Sequence, residues 1–399
     1  MSGPGRASSD GSSPAEGEAI TGLAWSADDR QFLEDPSDYY RWLRDEEPVH
    51  YHEPSGSFFL SRFEDVWQAT ADWQTFSSQS PVSRLRHMAS MDPPDHDRLR
   101  ASVVRHFAPH RIARLEPRIR AICRELLDPL TRESSFDLVA RFTTLFPSFV
   151  INRLMGVPPE LDEKIREIAL GIGAARDTEM LGRLMDELAE LTIRVVEGDP
   201  APAEPGLIQM LQREEGASGL DREDLRGICS NLVLAGTDTV TNLVGNGVVL
   251  LARRPAERER LLRDPGLIRR GVEEMLRFES PVQSLARRVT RNVTLHGVAL
   301  PEGAEVRLQW GAANRDEREF ERPDAFDVGR EIRRHLALGH GRHFCLGAHL
   351  ARLEARVALE ELLKRWPALD VDESRLERLP SLWVRAWSQI VLVADSDAA

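Results

Sequence analysis

Over most of the chain apolar residues recur at three-to-four spacing, the period of a helix with one buried face. Residues 96–130 alternate apolar and basic positions in this way and are interrupted by Pro109 and Pro117, which lack the N–H that a helix interior needs. Residues 161–197 and 222–254 carry the same period. Residues 231–252 form the most apolar long segment, but Asp238, several threonines and three asparagines make it too polar to cross a bilayer comfortably. A buried helix fits it better. Strand-like alternation is confined to short runs, clearest in residues 287–310, where Val, Thr and Leu alternate around the turns His296-Gly297 and Pro301-Glu302-Gly303. The pattern predicts a mainly α protein with a minor β region.

Composition adds limits. A chain of 399 residues, 41% hydrophobic, can build either two ordinary domains or one large one. No internal repeat or shift in composition marks a boundary, so one large domain over residues 21–399 is expected. Residues 197–206, rich in Pro and acidic residues, read as a connection between helices. The first 20 residues are rich in Gly, Ser and Pro with no apolar core, which fits a disordered tail and neither a signal peptide nor an anchor. A net charge of −13 argues against a nucleic-acid binder. Three widely separated cysteines, Cys123, Cys229 and Cys345, do not form a disulfide framework, and a reducing cytoplasm suits them.

The densest chemistry lies in LALGHGRHFCLGAHLARLE, residues 336–354. Gly339 and Gly341 permit a tight loop, and a helix begins just after Cys345, placing the sulfur near backbone N–H groups that stabilise a thiolate. An isolated Cys in such a turn is more often a small buried apolar residue. Two metal readings compete with that. Zinc could draw on His335, His340, His343, Cys345 and His349, but their spacing matches no usual paired ligand motif. Haem iron needs only one axial thiolate.

LGHGRHFCLG, residues 338–347, resembles the haem-binding signature of the cytochrome P450 family, with Leu338 where that family usually has Phe. The resemblance runs from about residue 30 to the C-terminus and implies the cytochrome P450 fold, with Cys345 as ligand to the iron of haem b. Four further motifs occur in family order. AGTDTV (235–240) resembles the family's helix segment over the haem, which implies close approach at Ala235 and Gly236 and makes Asp238 and Thr239 the proton-delivery pair; Gly347 gives a second close approach. VEEMLRFESP (272–281) carries the Glu274/Arg277 ion pair. ERPDAFDVGR (321–330) has Ala325 where a third, basic member is expected, leaving Arg322 or Arg330 to replace it. DPPDHDRLR (92–100) supplies His96 and Arg100, which with Arg287 and His343 are implied to bind the haem propionates; Arg288 rivals Arg287, and the strand register decides between them.

The resemblance implies a monooxygenase that uses O2 to hydroxylate or epoxidise a hydrophobic small molecule of terpenoid, steroid, polyketide or fatty acyl type. Met88, Leu234, Ala235, Val282, Leu285 and Trp387 are the expected pocket wall. The chain carries no flavin or nicotinamide fingerprint, so electrons come from a separate donor, in this subfamily a ferredoxin with its ferredoxin reductase. Arg98, Arg105, Arg111, Arg114, Arg342 and Arg352 are the expected docking face for an acidic ferredoxin. The subfamily is commonly monomeric and has no membrane insertion. The alternatives are a haem-thiolate protein acting as a peroxide-driven oxidase, isomerase, ligand binder or gas sensor, and a zinc protein.

Overall fold

The computed structural model of the protein describes residues 29–79, 87–173, 175, 178–213 and 219–393. The expected tail, residues 1–20, lies outside them, as does most of the loop before His96, residues 80–86. Both prolines of the basic stretch fall in first helical turns, where the missing N–H costs nothing. After α1 (Asp95–Val104), Pro109 opens a short helix, Pro109–Ala113, and Pro117 lies in the first turn of α2 (Glu116–Leu127). Next come α3 (Leu145–Met155), α4 (Pro159–Gly173) and α5 (Thr178–Glu197), so the periodic run 161–197 divides between two helices.

The apolar segment is the central helix α6 (Arg222–Ala252), 31 residues long and buried over much of its length. A reciprocal cap starts it: the Asp221 carboxylate accepts from the Asp224 N–H, and the Asp224 carboxylate accepts from the Asp221 N–H. α3, α4 and α5 pack against it, together with α7 (Ile268–Phe278) and α8 (Ala348–Arg365). Close approach requires small residues. A Cβ on Gly236 would stand 2.6 Å from Ile151 Cγ1 of α3.

The β part is small. Its main sheet contains β1 (Val49–His52), β2 (Ser57–Leu60), β3 (Phe76–Ser77), β4 (Ser284–Val289) and β5 (Glu305–Gln309), in the order β1-β2-β5-β4-β3. β2 and β5 are parallel, and the remaining neighbours are antiparallel. His296 and Gly297, at φ +48° and +80°, make the expected tight turn between the strands Val293–Leu295 and Val298–Leu300. Side chains alternate across β4. Arg287 therefore shares a face with Leu285 and Val289 and is buried there, while Arg288, on the other face, is exposed; Leu285 is itself exposed. The fold is mainly α, in one domain, and β4, α6 and the loop before α8 converge on one cavity.

Candidate haem site

The loop before α8 turns at Gly339 and Gly341, both at φ near +67° (+68° and +66°), a backbone conformation that a side chain would strain. The turn brings the Cys345 N–H back to the Leu338 carbonyl at 2.8 Å. The Gly347 N–H donates to the Cys345 sulfur, and α8 begins at Ala348. Burial pushes the Cys345 thiol above its ordinary pKa, outweighing the Gly347 N–H and the positive charges of Arg100 and Arg352. The helix N-terminus alone therefore does not produce the thiolate expected from the sequence. A metal cation held at the sulfur would favour it.

Cys345 lines a largely apolar cavity. Gathered on its wall are His96 and Arg100 of α1, Arg287 of β4, and His343. The His96 and His343 rings lie 4.3 Å apart between centroids. Arg287, 5% exposed, donates to the Ala286 carbonyl at 2.8 Å, and Arg100 to the Phe344 carbonyl at 2.6 Å. Among the described residues neither guanidinium has a carboxylate partner. Burial pushes Arg287 down to about 10, and burial beside Arg287, His96 and Arg100 pushes His343 down to about 3. Arg287, buried, and Arg100, half-buried, thus lack an ion pair and have only the more distant charges of Asp92 and Asp97, a deficit that a dianionic cofactor would complete. The site fits haem, with Cys345 on the iron and this cluster on the propionates.

Thr239, on α6, lines the same cavity. Its hydroxyl donates to the Ala235 carbonyl at 2.8 Å, leaving the oxygen lone pairs free to accept from a molecule in the cavity. Asp238 stands one position behind and is not part of the lining. Burial raises its carboxyl to about 6, although Asn242 donates to it at 3.1 Å. Ala235 and Gly236 both line the cavity, but it is Ile151 that leaves no room for a side chain at Gly236.

Zinc finds no support here. His335 turns to Glu273, His340 stacks on Trp67 and His343 contacts Ser78, and no cluster of three or more metal-ligating side chains occurs among the described residues.

Met88, Ala235, Val282 and Leu285 line the cavity as expected, whereas Leu234 and Trp387 do not. Leu234 is turned about 100° from Ala235 on the helix and packs against the main core. Trp387 pairs across strands with Arg378 and lies beneath its guanidinium, 3.6 Å from the ring centroid, facing a separate polar cavity.

The Glu274/Arg277 pair is fully buried, with two hydrogen bonds of 2.7 and 2.8 Å. Its third member is Arg330, whose Nε donates to Glu274 at 3.1 Å; Arg322 contributes a backbone carbonyl to Arg330.

Among the lining residues that were not anticipated are the polar Asn231 and Glu354. Both lie on helical stripes that the sequence displays, Asn231 four residues before Ala235 and Glu354 four after Leu350. Glu354 is 1% exposed, its Oε2 has no hydrogen-bond partner, and burial holds its carboxyl well above the ordinary 4.5. Burial favours its neutral form in the folded protein, while the unfolded chain ionises near the ordinary value. Stability is therefore lost as pH rises past about 4.5, the unfolded value. In Glu354→Gln that loss is removed, and its advantage over the parent in thermal melts should widen between pH 5 and 8 by up to about 1.4 kcal/mol per pH unit. Parallel stability curves would rule this out.

The comparisons with known proteins agree with this geometry. The family model "Cytochrome P450" matches residues 266–383. "Cytochrome P450 130" of Mycobacterium tuberculosis is 37% identical over 371 residues, covering 86% of this chain and 90% of that protein. The chain belongs to the cytochrome P450 family. Another member, "Vitamin D(3) 25-hydroxylase" of Pseudonocardia autotrophica, is 36% identical over 379 residues, with 90% and 94% covered. Among solved structures, CYP109E1 from Bacillus megaterium in complex with testosterone superposes with a TM-score of 0.86 at 31% identity, covering 92% of this chain and 99% of that one. Membership makes this P450 a monooxygenase whose cofactor is haem b. No helix among the described residues is long and apolar enough to cross a membrane.

Proposed function

We propose that this P450 inserts one atom of O2 into a hydrophobic small molecule held between Thr239 and the apolar wall, reducing the other atom to water with two electrons and two protons from outside. Thiolate-ligated haem supplies the oxygen activation. The observation that carries the reading is one cavity lined by Cys345, by two guanidiniums without an ion pair among the described residues, and by the Thr239 hydroxyl. His96, Arg100, Arg287 and His343 hold the propionates; Asp238 and Thr239 deliver protons, Thr239 from the cavity wall and Asp238 from behind it. The apolar lining excludes water and orients the substrate. A steroid-like substrate is consistent with the testosterone and vitamin D3 in the names of two relatives.

Electrons reach the site from a ferredoxin and its reductase at the face beside Cys345, in a cytoplasmic monomer. An apolar-floored groove there is rimmed by Arg269, Arg270, Arg352 and Arg356. Arg98, Arg342 and Arg352 are already paired, with Asp224, Asp97 and Glu273, and Arg105 donates to the His106 ring; Arg111 and Arg114 have no ion pair among the described residues.

The test is Thr239→Ala with testosterone, NADPH, a ferredoxin and its reductase. Product per electron should fall about a hundredfold, the size of a lost proton-transfer group, with the electrons recovered as hydrogen peroxide. Thr239→Ser should keep most of the coupling. If Thr239→Ala forms product from O2 as the parent does, the pair has no role in proton delivery; if parent and variant form product from hydrogen peroxide but not from O2, a peroxide-driven oxidase becomes the better reading.

A further inference from the structure

Asn231, Ala235 and Thr239 are spaced four residues apart on α6, so they form one stripe along the helix, and all three line the cavity. Leu232, Ile151, Val282 and Leu285, which line the same cavity, are apolar. The Asn231 carboxamide makes no hydrogen bond with any described residue. The described cations of the cavity, Arg100 and Arg287, are taken up in the cluster on the Cys345 side. An amide presented to an apolar ligand loses its water and gains nothing in return, so a pure hydrocarbon is disfavoured there. A neutral oxygen satisfies it, because the amide can both donate and accept.

We propose that Asn231 is a specificity-determining residue that binds a hydroxyl or ketone oxygen of the substrate. Eight residues of helix separate it from Thr239, about 12 Å along the axis. The substrate class is therefore an elongated hydrophobic molecule with an uncharged oxygen function at the end remote from the carbon that is oxidised. This rests on the haem cavity and substrate chamber being as given under Proposed function.

Imidazoles that bind the iron and extend a chain up the cavity test both parts separately. The haem-loaded parent and Asn231→Leu are titrated with N-decylimidazole, the ω-hydroxydecyl compound and the corresponding hexyl pair, following the Soret shift. The replacement should move the preference between hydroxyl and methyl ends toward methyl by about tenfold for the decyl pair, one hydrogen bond's worth, and leave the hexyl pair unchanged. N-decylimidazole should bind the variant at least as tightly as the parent, which shows an intact cavity. An unchanged preference, or an equal change at both lengths, overturns the assignment to Asn231 and leaves the haem cavity standing. No Soret shift with any of the compounds would overturn the cavity reading itself, and this inference with it.

Discussion

Cys345→Ala should abolish the strongly red-shifted Soret band that the reduced protein gives with carbon monoxide and bring monooxygenase turnover to background. The sulfur is the one thiol on the cavity wall. Its expected role also accounts for a half-buried thiol beside Arg100 and Arg352: the pair of guanidiniums and the Gly347 N–H suit a negative sulfur, and a bound metal cation would offset the desolvation that opposes that charge. Cys123 and Cys229 provide the control. Burial raises both thiols to about 12, neither lines the cavity, and Cys123→Ala or Cys229→Ala should leave the band in place. A red-shifted band that survived in Cys345→Ala would remove Cys345 as the ligand.

The largest expected loss of stability follows from Glu274→Ala. Glu274 and Arg277 are both 0% exposed, and Glu274 also accepts from Arg330 and from the Asp327 N–H at 3.0 Å. Removing the carboxylate leaves two guanidiniums confined together without their anion. Breaking such a buried pair costs about 3–5 kcal/mol, against a typical total stability of about 5–15 kcal/mol. Urea unfolding should show a midpoint lowered accordingly, with a steep loss of soluble protein at 37 °C. Arg330→Ala should cost less, since Arg277 remains in place with both its bonds to Glu274. A loss below about 1 kcal/mol in Glu274→Ala would mean that the pair behaves as an exposed helix pair does.

What the sequence revealed and what it hid have a common physical origin. Chemistry carried by local spacing was legible: the Gly-rich loop with Cys345, the i, i+3 pair of Glu274 and Arg277, and the prolines that start helices. Arg287 was distinguished from Arg288 only by the register of β4 against β5, a pairing between distant segments. The choice of Arg330 over Arg322 likewise depended on a turn in which Arg322 adopts φ +47° and offers a carbonyl to Arg330. Trp387 was misplaced because its cross-strand partner, Arg378, lies on a strand that residue spacing does not reveal. Leu234 and Glu354 are different. Helical phase alone places Leu234 off the Ala235–Thr239 stripe and Glu354 on the buried face of α8, so both could have been read from the sequence had the period been applied residue by residue.

The contact between Gly236 and Ile151 limits how this enzyme can be altered. Any side chain at position 236 meets the β-branched base of Ile151, which has little room to move, so α6 and α3 hold a fixed separation. Selection for new substrates, in nature or in the laboratory, therefore has little freedom at the roof beside Thr239. Variation should accumulate instead at positions such as 231, 282 and 285, where side chains border open space and a change of shape leaves the helix spacing intact.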